Sequence, residues 1–185
     1  MIIRVRGVPG SGKTYIARAL REHGVKVIDT DDVITEAYDE LAKSAKSKDL
    51  LTVDHVLELA ERRILHKVYG SKGLTVVVGV TLHVPSSDET FFIDVSEKLH
   101  DVYERTVKRE LKKYALMRDR VSRLPVNQVA PYLACKLHLN AFDPRQDYRH
   151  YVALYEKALA SERKRATVME QGAIINHILQ YHRRR

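Results

Sequence analysis

Apolar and polar positions alternate with two different periods over the first thirty residues. IIRVR alternates at every second residue, which predicts a β-strand, and TYIARALREHG has apolar residues at helical spacing up to Gly24. VKVID alternates again and predicts a second short strand. This order of strand, helix and strand is typical of a parallel sheet.

The middle of the chain has two further helical patterns and two apolar runs. VITEAYDELA and VDHVLELAERRILHKVYG predict helices, the second ending at Gly70. LTVVVGV is rich in β-branched residues and bounded by glycines, which predicts a strand buried on both faces, and FFIDV predicts the next strand. We expect the apolar stripe of this second helix to lie on the sheet. The stripe contains Val53, Val56, Leu57, Ala60, Ile64, Leu65 and Val68.

The rest of the chain predicts mainly helices. Ser96 is the expected N-cap of a long helix through LHDVYERTVKRELKKYALMRDR. Further helices are predicted for APYLACKLHL, YRHYVALYEKALASE and AIINHILQYH, with ATVME as a short last strand. The whole pattern predicts an α/β fold with a parallel sheet covered by helices on both faces and a helical carboxyl-terminal part. Functional residues are then expected at the carboxyl ends of the strands.

Composition narrows the class of protein. With 185 residues and 44% hydrophobic residues, the chain is long enough for one well-buried core, and we expect a single domain over residues 1–185. No apolar run reaches the roughly 18 residues of a membrane span, and the glycine-rich loop at Gly7 comes too early for a signal peptide. The single Cys135 excludes an internal disulfide bond. We therefore expect a cytoplasmic protein without a membrane partner.

The net charge of +8 is concentrated in the second half of the chain. Residues 1–99 have 14 Lys and Arg against 15 Asp and Glu, a net −1. Residues 100–135 have 8 against 4, a net +4, and residues 136–185 have 10 against 5, a net +5. This asymmetry favours a polyanionic ligand, either nucleotide phosphates or a nucleic acid strand.

GVPGSGKT, between the first predicted strand and helix, matches the phosphate-binding pattern G-x-x-x-x-G-K-[ST]. Its glycines allow successive backbone N–H groups to face an anion at the start of a helix. Lys13 would contact the β- and γ-phosphates, and the Thr14 hydroxyl would be a Mg²⁺ ligand. The residues predicted to contact the nucleotide are Gly7, Pro9, Gly10, Ser11, Gly12, Lys13, Thr14 and Tyr15.

Three carboxylates follow the second predicted strand, in Asp29-Thr30-Asp31-Asp32. At that edge of the sheet, one carboxylate can accept or orient the proton of an acceptor hydroxyl, and another can hold metal-bound water. The alternative is that one of these residues caps the next helix while the others face solvent, and Asp32 is the expected cap.

GVPGSGKT followed by VIDTDDVI resembles the small P-loop kinases, both the shikimate, gluconate and nucleotide kinase group and the kinase domain of 5′-hydroxyl polynucleotide kinases. The resemblance is specific over residues 3–34. It implies a P-loop NTPase fold with a helical lid, and ATP and Mg²⁺ as cofactors. It also implies that Asp29 lies near the water shell of Mg²⁺ and that Asp31 is the base for the acceptor hydroxyl.

The resemblance continues, with two departures. FFIDVS resembles the strand that precedes the lid helix, and Arg105 and Arg109, four residues apart, project from one face of that helix. The resemblance implies that these arginines reach over the phosphates. Within the lid or insert expected at about residues 105–146, the stretch RLPVNQVAPYLACKLHLNAFDPRQ is longer than a minimal lid, and a lid, an acceptor-specificity insert and a dimer surface are the alternatives for it. Gly79-Val80-Thr81 has neither the aspartate nor the glycine triplet of related kinases at that strand end. Metal binding would then rest on Thr14 and the strand-two aspartates, and shikimate is disfavoured as the acceptor.

These features predict a phosphotransferase that uses ATP and Mg²⁺ to phosphorylate a small molecule, a nucleoside or nucleotide being favoured. One alternative is a polynucleotide 5′-hydroxyl kinase, which the basic second half and the adjacent aspartates favour. The other is a regulatory nucleotide-binding NTPase, which is disfavoured because the chain has no guanine-specific N-K-x-D motif.

Overall fold

The computed structural model describes residues 1–44, 52–79, 86–126, 128–129, 132–133 and 142–184. The helix predicted for APYLACKLHL lies almost entirely outside these residues, as do Val80 and Thr81. The strands are β1 (Ile2–Arg6), β2 (Lys26–Asp29), β3 (Thr75–Val78), β4 (Glu89–Ile93) and β5 (Thr167–Met169). The helices are α1 (Lys13–Glu22), α2 (Thr30–Ser44), α3 (Val53–Tyr69), α4 (Leu99–Val121), α5 (Tyr148–Glu162) and α6 (Gln171–Arg183), with a 3₁₀ helix at Ser96–Lys98.

The five strands form one parallel sheet in the order β2-β3-β1-β4-β5. This confirms the parallel sheet predicted from the alternation of strands and helices. Because β1 is central, the loop that follows it lies between the carboxyl ends of β3 and β4. The loop and the acidic residues after β2 therefore share one edge of the sheet.

Helices cover both faces of the sheet, as predicted. Successive residues of a strand point to opposite faces. Val76 and Val78 pack in a cluster that includes residues of α1 and α6, whereas Val77 packs with residues of α2 and α3. All four residues of β3 are buried, which confirms the prediction from the continuous apolar run LTVVVGV.

The prediction of the apolar stripe of α3 is correct except at one position. Val56, Ala60, Ile64 and Val68 are buried, at the spacing of one helical face. Leu65 is 37% exposed, so its inclusion in the stripe is wrong. It follows Ile64 by about 100° around the helix axis, which turns it away from the sheet.

The first turn of α2 begins earlier than predicted. The helix starts at Thr30, and the Oδ1 atom of Asp29 accepts the backbone N–H of Asp31 at 3.1 Å. The prediction that Asp32 caps this helix is therefore wrong, and Asp29 has that role. A carboxylate just before a helix satisfies one of its free N–H groups, and acidic residues in the first turn complement the helix dipole. Asp32 instead lies in the first turn, 3.7 Å from Arg21.

The start of α4 also differs from the prediction. Ser96 begins a 3₁₀ helix, and the N-cap position of α4 is Lys98, whose side chain makes no capping hydrogen bond, so the assignment of Ser96 as its N-cap is wrong. The backbone N–H of Ser96 donates to Oδ1 of Asp94 at 2.9 Å, which holds the chain in a turn after β4. None of the described helices is both long and apolar enough to cross a membrane.

Candidate functional site

The loop between β1 and α1 has the backbone shape that its glycines predict. Gly10 and Gly12 have φ angles of 78° and 94°, a region that favours glycine. A Cβ atom at Gly10 would collide with the side chain of Thr106, and one at Gly12 with that of Gln171. The two glycines are thus required both by the backbone conformation and by the close approach of α4 and α6.

Three side chains from distant parts of the chain hold the outside of this loop. The hydroxyl of Tyr151 donates to the carbonyl oxygen of Pro9, and the amide of Gln171 donates to the carbonyl oxygen of Ser11. The hydroxyl of Thr106 donates to the carbonyl oxygen of Val102 at 2.6 Å and contacts that of Pro9 at 3.3 Å. Burial raises the pKa of Tyr151 to about 12, so its phenol remains a donor. No sequence motif marked Thr106, Tyr151 or Gln171 as contacts of this loop.

Lys13 lies inside the loop and is surrounded by charged groups. Its amine donates to the carbonyl oxygens of Gly7 at 2.7 Å and Val8 at 3.0 Å. Burial lowers the pKa of Lys13 to about 8. The negative charges of Asp31 and Asp29 oppose this shift, and the positive charges of Arg109 and Lys113 add to it. The fold thus brings the residues that act on Lys13 together from two helices, α2 and α4, and the end of β2.

The aspartates after β2 differ in their environment. The pKa of Asp29 is raised to about 6, mainly by burial and next by the negative charge of Asp31. The hydrogen bond from the backbone N–H of Asp31 opposes this shift. Asp31 is exposed in the first turn of α2. Beside them, Gly79 has a φ angle of 133°, and a Cβ there would collide with the side chain of Thr30. The glycine at the end of β3, where related kinases often have an aspartate, is therefore required by packing against α2.

Thr14 and Tyr15 lie at the start of α1, where the motif predicts them. Thr14 is exposed, and Tyr15 is 52% exposed with the guanidinium of Arg18 5.9 Å from its ring centre. Across the described ranges, no group of three His, Cys, Asp or Glu side chains comes together as a metal site. A hydroxyl from Thr14 and a carboxylate from Asp29 are hard oxygen donors of the kind that Mg²⁺ takes together with water and phosphate oxygens.

Arg105 and Arg109 start from one side of α4 but have different partners. The positive charges of both lower the pKa of Tyr151 against the larger effect of burial, so both lie near the loop. The Nε atom of Arg105 donates to the carbonyl oxygen of Asp101 at 3.2 Å. Arg109 instead forms an ion pair with Glu110 at 2.7 Å, and its charge acts on Lys13.

A cleft of about 290 Å³ lies between the starts of α4 and α6. Its lining includes Asp94, Arg105 and Gln171, and Gln171 also contacts the loop at Ser11. Burial tends to raise the pKa of Asp94, but hydrogen bonds from Tyr155 at 2.7 Å and from Ser96 outweigh it and keep the pKa below its ordinary value. The cleft therefore adjoins the phosphate loop and has an ionised carboxylate in its wall. No sequence motif marked it.

Sequence comparison finds relatives for the first part of the chain. A family model described as an AAA domain matches residues 2–87, less than half of the chain. A UPF0200 protein of Sulfurisphaera tokodaii is 38% identical over 69 residues, which are 37% of this chain and 33% of that protein. A UPF0200 protein of Saccharolobus solfataricus is 35% identical over 69 residues, 37% of this chain and 31% of that protein. The match thus spans about a third of the length of these relatives.

Structural comparison extends over nearly the whole chain. The crystal structure of TT1252 from Thermus thermophilus has a TM-score of 0.53 at 16% identity, with 92% of this chain and 87% of that chain covered. A shikimate kinase from Bacteroides thetaiotaomicron has a TM-score of 0.50 at 14% identity, with 97% and 94% covered. Together with the parallel sheet and the loop after β1, these similarities define an α/β P-loop fold. The chain resembles the small P-loop kinases, as its motif implied.

Proposed function

We propose that this protein is an ATP- and Mg²⁺-dependent phosphotransferase that transfers the γ-phosphate to a small molecule, with a nucleoside or nucleotide favoured. The observation that carries this proposal is the set of charges that act on Lys13 in the phosphate loop, two carboxylates, Asp31 and Asp29, and two cations, Arg109 and Lys113. A phosphate loop alone would bind a nucleotide. A carboxylate beside its lysine adds a group that can act on an acceptor.

The proposed donor site combines the loop and the adjoining cleft. Lys13 and the loop N–H groups bind the β- and γ-phosphates, and the 290 Å³ cleft near Gln171 receives the base and ribose. Thr14 and Asp29 hold Mg²⁺, which neutralises charge on the phosphate oxygens. A shikimate kinase has the same fold, which supports phosphoryl transfer as the reaction class.

In the proposed reaction, Asp31 orients the acceptor hydroxyl and takes its proton. The acceptor oxygen bonds to the γ-phosphorus while the bond from that phosphorus to the β–γ bridging oxygen breaks, and ADP leaves. Arg109 stabilises the charge on the transferring group, because a guanidinium can contact two of its oxygens at once. Asp31 suits this role because it is exposed at the site edge and close enough to Lys13 to act on its pKa.

A polynucleotide 5′-hydroxyl kinase is the second candidate. It is favoured by the basic surface of α4, the helix that contacts the phosphate loop through Thr106. A nucleic acid strand could lie along such a surface through its phosphates. The exposed basic residues of α4 are Arg105, Lys108, Arg109, Lys112, Lys113, Arg118 and Arg120.

Transfer of labelled γ-phosphate to nucleosides, nucleoside monophosphates and 5′-hydroxyl oligonucleotides tests both candidates. We expect transfer to one of these classes, and no transfer by a folded Lys13→Ala variant. Transfer to an oligonucleotide should weaken steeply with salt through counterion release, whereas transfer to a small molecule should depend on it mildly. Wild-type transfer by folded Lys13→Ala would overturn the kinase proposal. ATP turnover that no acceptor raises would support a regulatory NTPase instead.

A further inference from the structure

Glu110 is a buried carboxylate on the side of α4 that faces the phosphate loop. Its side chain is 2% exposed, and it lies one helical turn after Thr106, which contacts Pro9. One oxygen, Oε1, accepts from Nε of Arg109 at 2.9 Å and from the Lys113 amine at 3.2 Å. Oε2 has no hydrogen-bond partner among the described residues. A buried carboxylate is costly unless paired, so these contacts fix its position.

Arg109 and Lys113 both pair with Glu110, but only Arg109 starts well away from it around the helix. Arg109 precedes Glu110 by one residue, or about 100° around the helix axis, and its side chain is 45% exposed. Its ion pair with Glu110 draws the guanidinium toward the buried side. Lys113 lies three residues beyond Glu110, on the same face, and pairs with the same oxygen. The charges of both residues act on Lys13.

We propose that Glu110 is a positioning residue that holds Arg109 and Lys113 side by side toward the γ-phosphate at Lys13. The proposal rests on the proposed function, because it assumes a nucleoside triphosphate in the loop. It assigns Lys113 as a second cation of the transfer site. It also gives a reason for a carboxylate close to a site for anions: one oxygen, Oε1, contacts both cations.

Binding of a non-hydrolysable ATP analogue and of ADP, each with Mg²⁺, tests this role by titration calorimetry. Glu110→Gln keeps the size of the side chain but removes the negative charge that attracts Arg109 and Lys113, which leaves an amide oxygen as a weaker acceptor. We expect the variant to bind the ATP analogue about tenfold more weakly, and ADP within about twofold of wild type. Glu104→Gln, an exposed glutamate on the same helix, is the matched control and should change neither affinity.

Combining these substitutions tests whether Glu110 positions Arg109 and Lys113 or only stabilises the fold or balances their charge. In a protein that already contains Arg109→Ala and Lys113→Ala, adding Glu110→Gln should have no further effect on the analogue, because the groups it positions are gone. Equal losses for both nucleotides, or tighter binding of both by Glu110→Gln, would overturn the proposal. A thermal melt of each variant checks folding. Wild type that binds neither nucleotide would contradict the proposed function itself.

Discussion

Substitution of Asp31 tests whether this residue is the base of the proposed reaction. If Asp31 takes the acceptor proton, Asp31→Asn should lower transfer by about 10²- to 10⁴-fold, the usual range for a general acid or base. The affinity for ATP with Mg²⁺ should hardly change. Steady-state turnover with parallel calorimetry measures both quantities.

Asp32→Asn is the control for that experiment, because Asp32 is exposed and pairs with Arg21 at 3.7 Å. We expect it to have the smallest effect on turnover of the three strand-two aspartates. A nucleoside monophosphate acceptor is already ionised at neutral pH and needs no base, so Asp31→Asn would then alter acceptor affinity more than turnover. Full activity of Asp31→Asn with a hydroxyl acceptor would remove the base assignment.

Asp29 is expected to lower the stability of the nucleotide-free protein at neutral pH. Its pKa is raised to about 6 in the fold from an ordinary 3.8, so the fold disfavours its ionised form. The contribution of Asp29 to the free energy of unfolding is therefore complete below about pH 4, and it is lost as the pH rises through about 6. Asp29→Asn removes the charge, while the amide oxygen can still accept the N–H of Asp31.

Urea unfolding at several pH values measures this effect. We expect Asp29→Asn to have a higher free energy of unfolding than wild type at pH 7, and the difference to disappear near pH 4. Asp32→Asn should not reproduce this pH dependence. A destabilised Asp29→Asn at pH 7 would mean that the cap of α2 requires the full carboxylate charge.

Among the elements, α5 contributes directly to the shape of the phosphate loop. Tyr151→Phe removes only the hydroxyl that donates to Pro9, leaving the buried ring in place. Loss of one hydrogen bond of about 1 kcal/mol should weaken nucleotide binding about fivefold through a less ordered loop. Tyr148→Phe, on the same helix with its ring against His100 and Tyr103, is the control. Equal affinities for the two variants would show that the other contacts suffice to hold the loop.

On α4, we expect Arg105 to contribute mainly to ATP binding and Arg109 mainly to turnover. Arg105 lines the cleft, so Arg105→Ala should raise the Kd for ATP with little loss of turnover at saturation. Arg109 acts at Lys13, so Arg109→Ala should lower turnover more than affinity, as expected for a contact that strengthens in the transition state. Lys108→Ala, an exposed residue between them, is the control. Identical kinetic defects for the two arginine variants would contradict this division.

Local patterns were enough to predict the elements and the centre of the site. Period-two alternation predicted β1 and β2, and short apolar runs predicted β3, β4 and β5. The helix at 148–162 has the bounds of YRHYVALYEKALASE. The glycine-rich motif predicted the loop of Lys13. The cap of α2 was misassigned because three candidate carboxylates lie within four residues, and only the backbone decides which accepts an N–H.

The remainder of the site depends on contacts that local patterns do not encode. Thr106, Tyr151 and Gln171 meet the loop across 97, 142 and 160 positions of sequence. Glu110 looked like part of an ordinary mixed helix surface, because burial of a single charged residue depends on the tertiary packing of α4. Charge spacing alone also could not distinguish Arg105, beside the cleft, from Arg109, beside Lys13.

For the whole molecule, nucleotide binding should appear as thermal stabilisation. The site joins the loop after β1 to α4, α5 and α6, so a bound nucleotide should stabilise the folded state against global unfolding. At a concentration 100 times Kd, a ligand adds about 2.7 kcal/mol, which corresponds to about 5–10 °C in Tm for a chain of this size. Calorimetry with and without ATP and Mg²⁺ measures the shift. Lys13→Ala should lose most of it, and an equal shift in that variant would contradict phosphate binding at Lys13.

The contact between Gln171 and Ser11 also has a consequence for the order in which the protein is made. The ribosome completes the phosphate-binding motif well before the amide that holds Ser11, which follows Ser11 by 160 positions. At usual rates of translation this interval is roughly 10 to 30 s. A nascent chain thus carries the motif long before it can complete the nucleotide site, and ATP should begin to protect it from proteolysis only after α6 has left the exit tunnel.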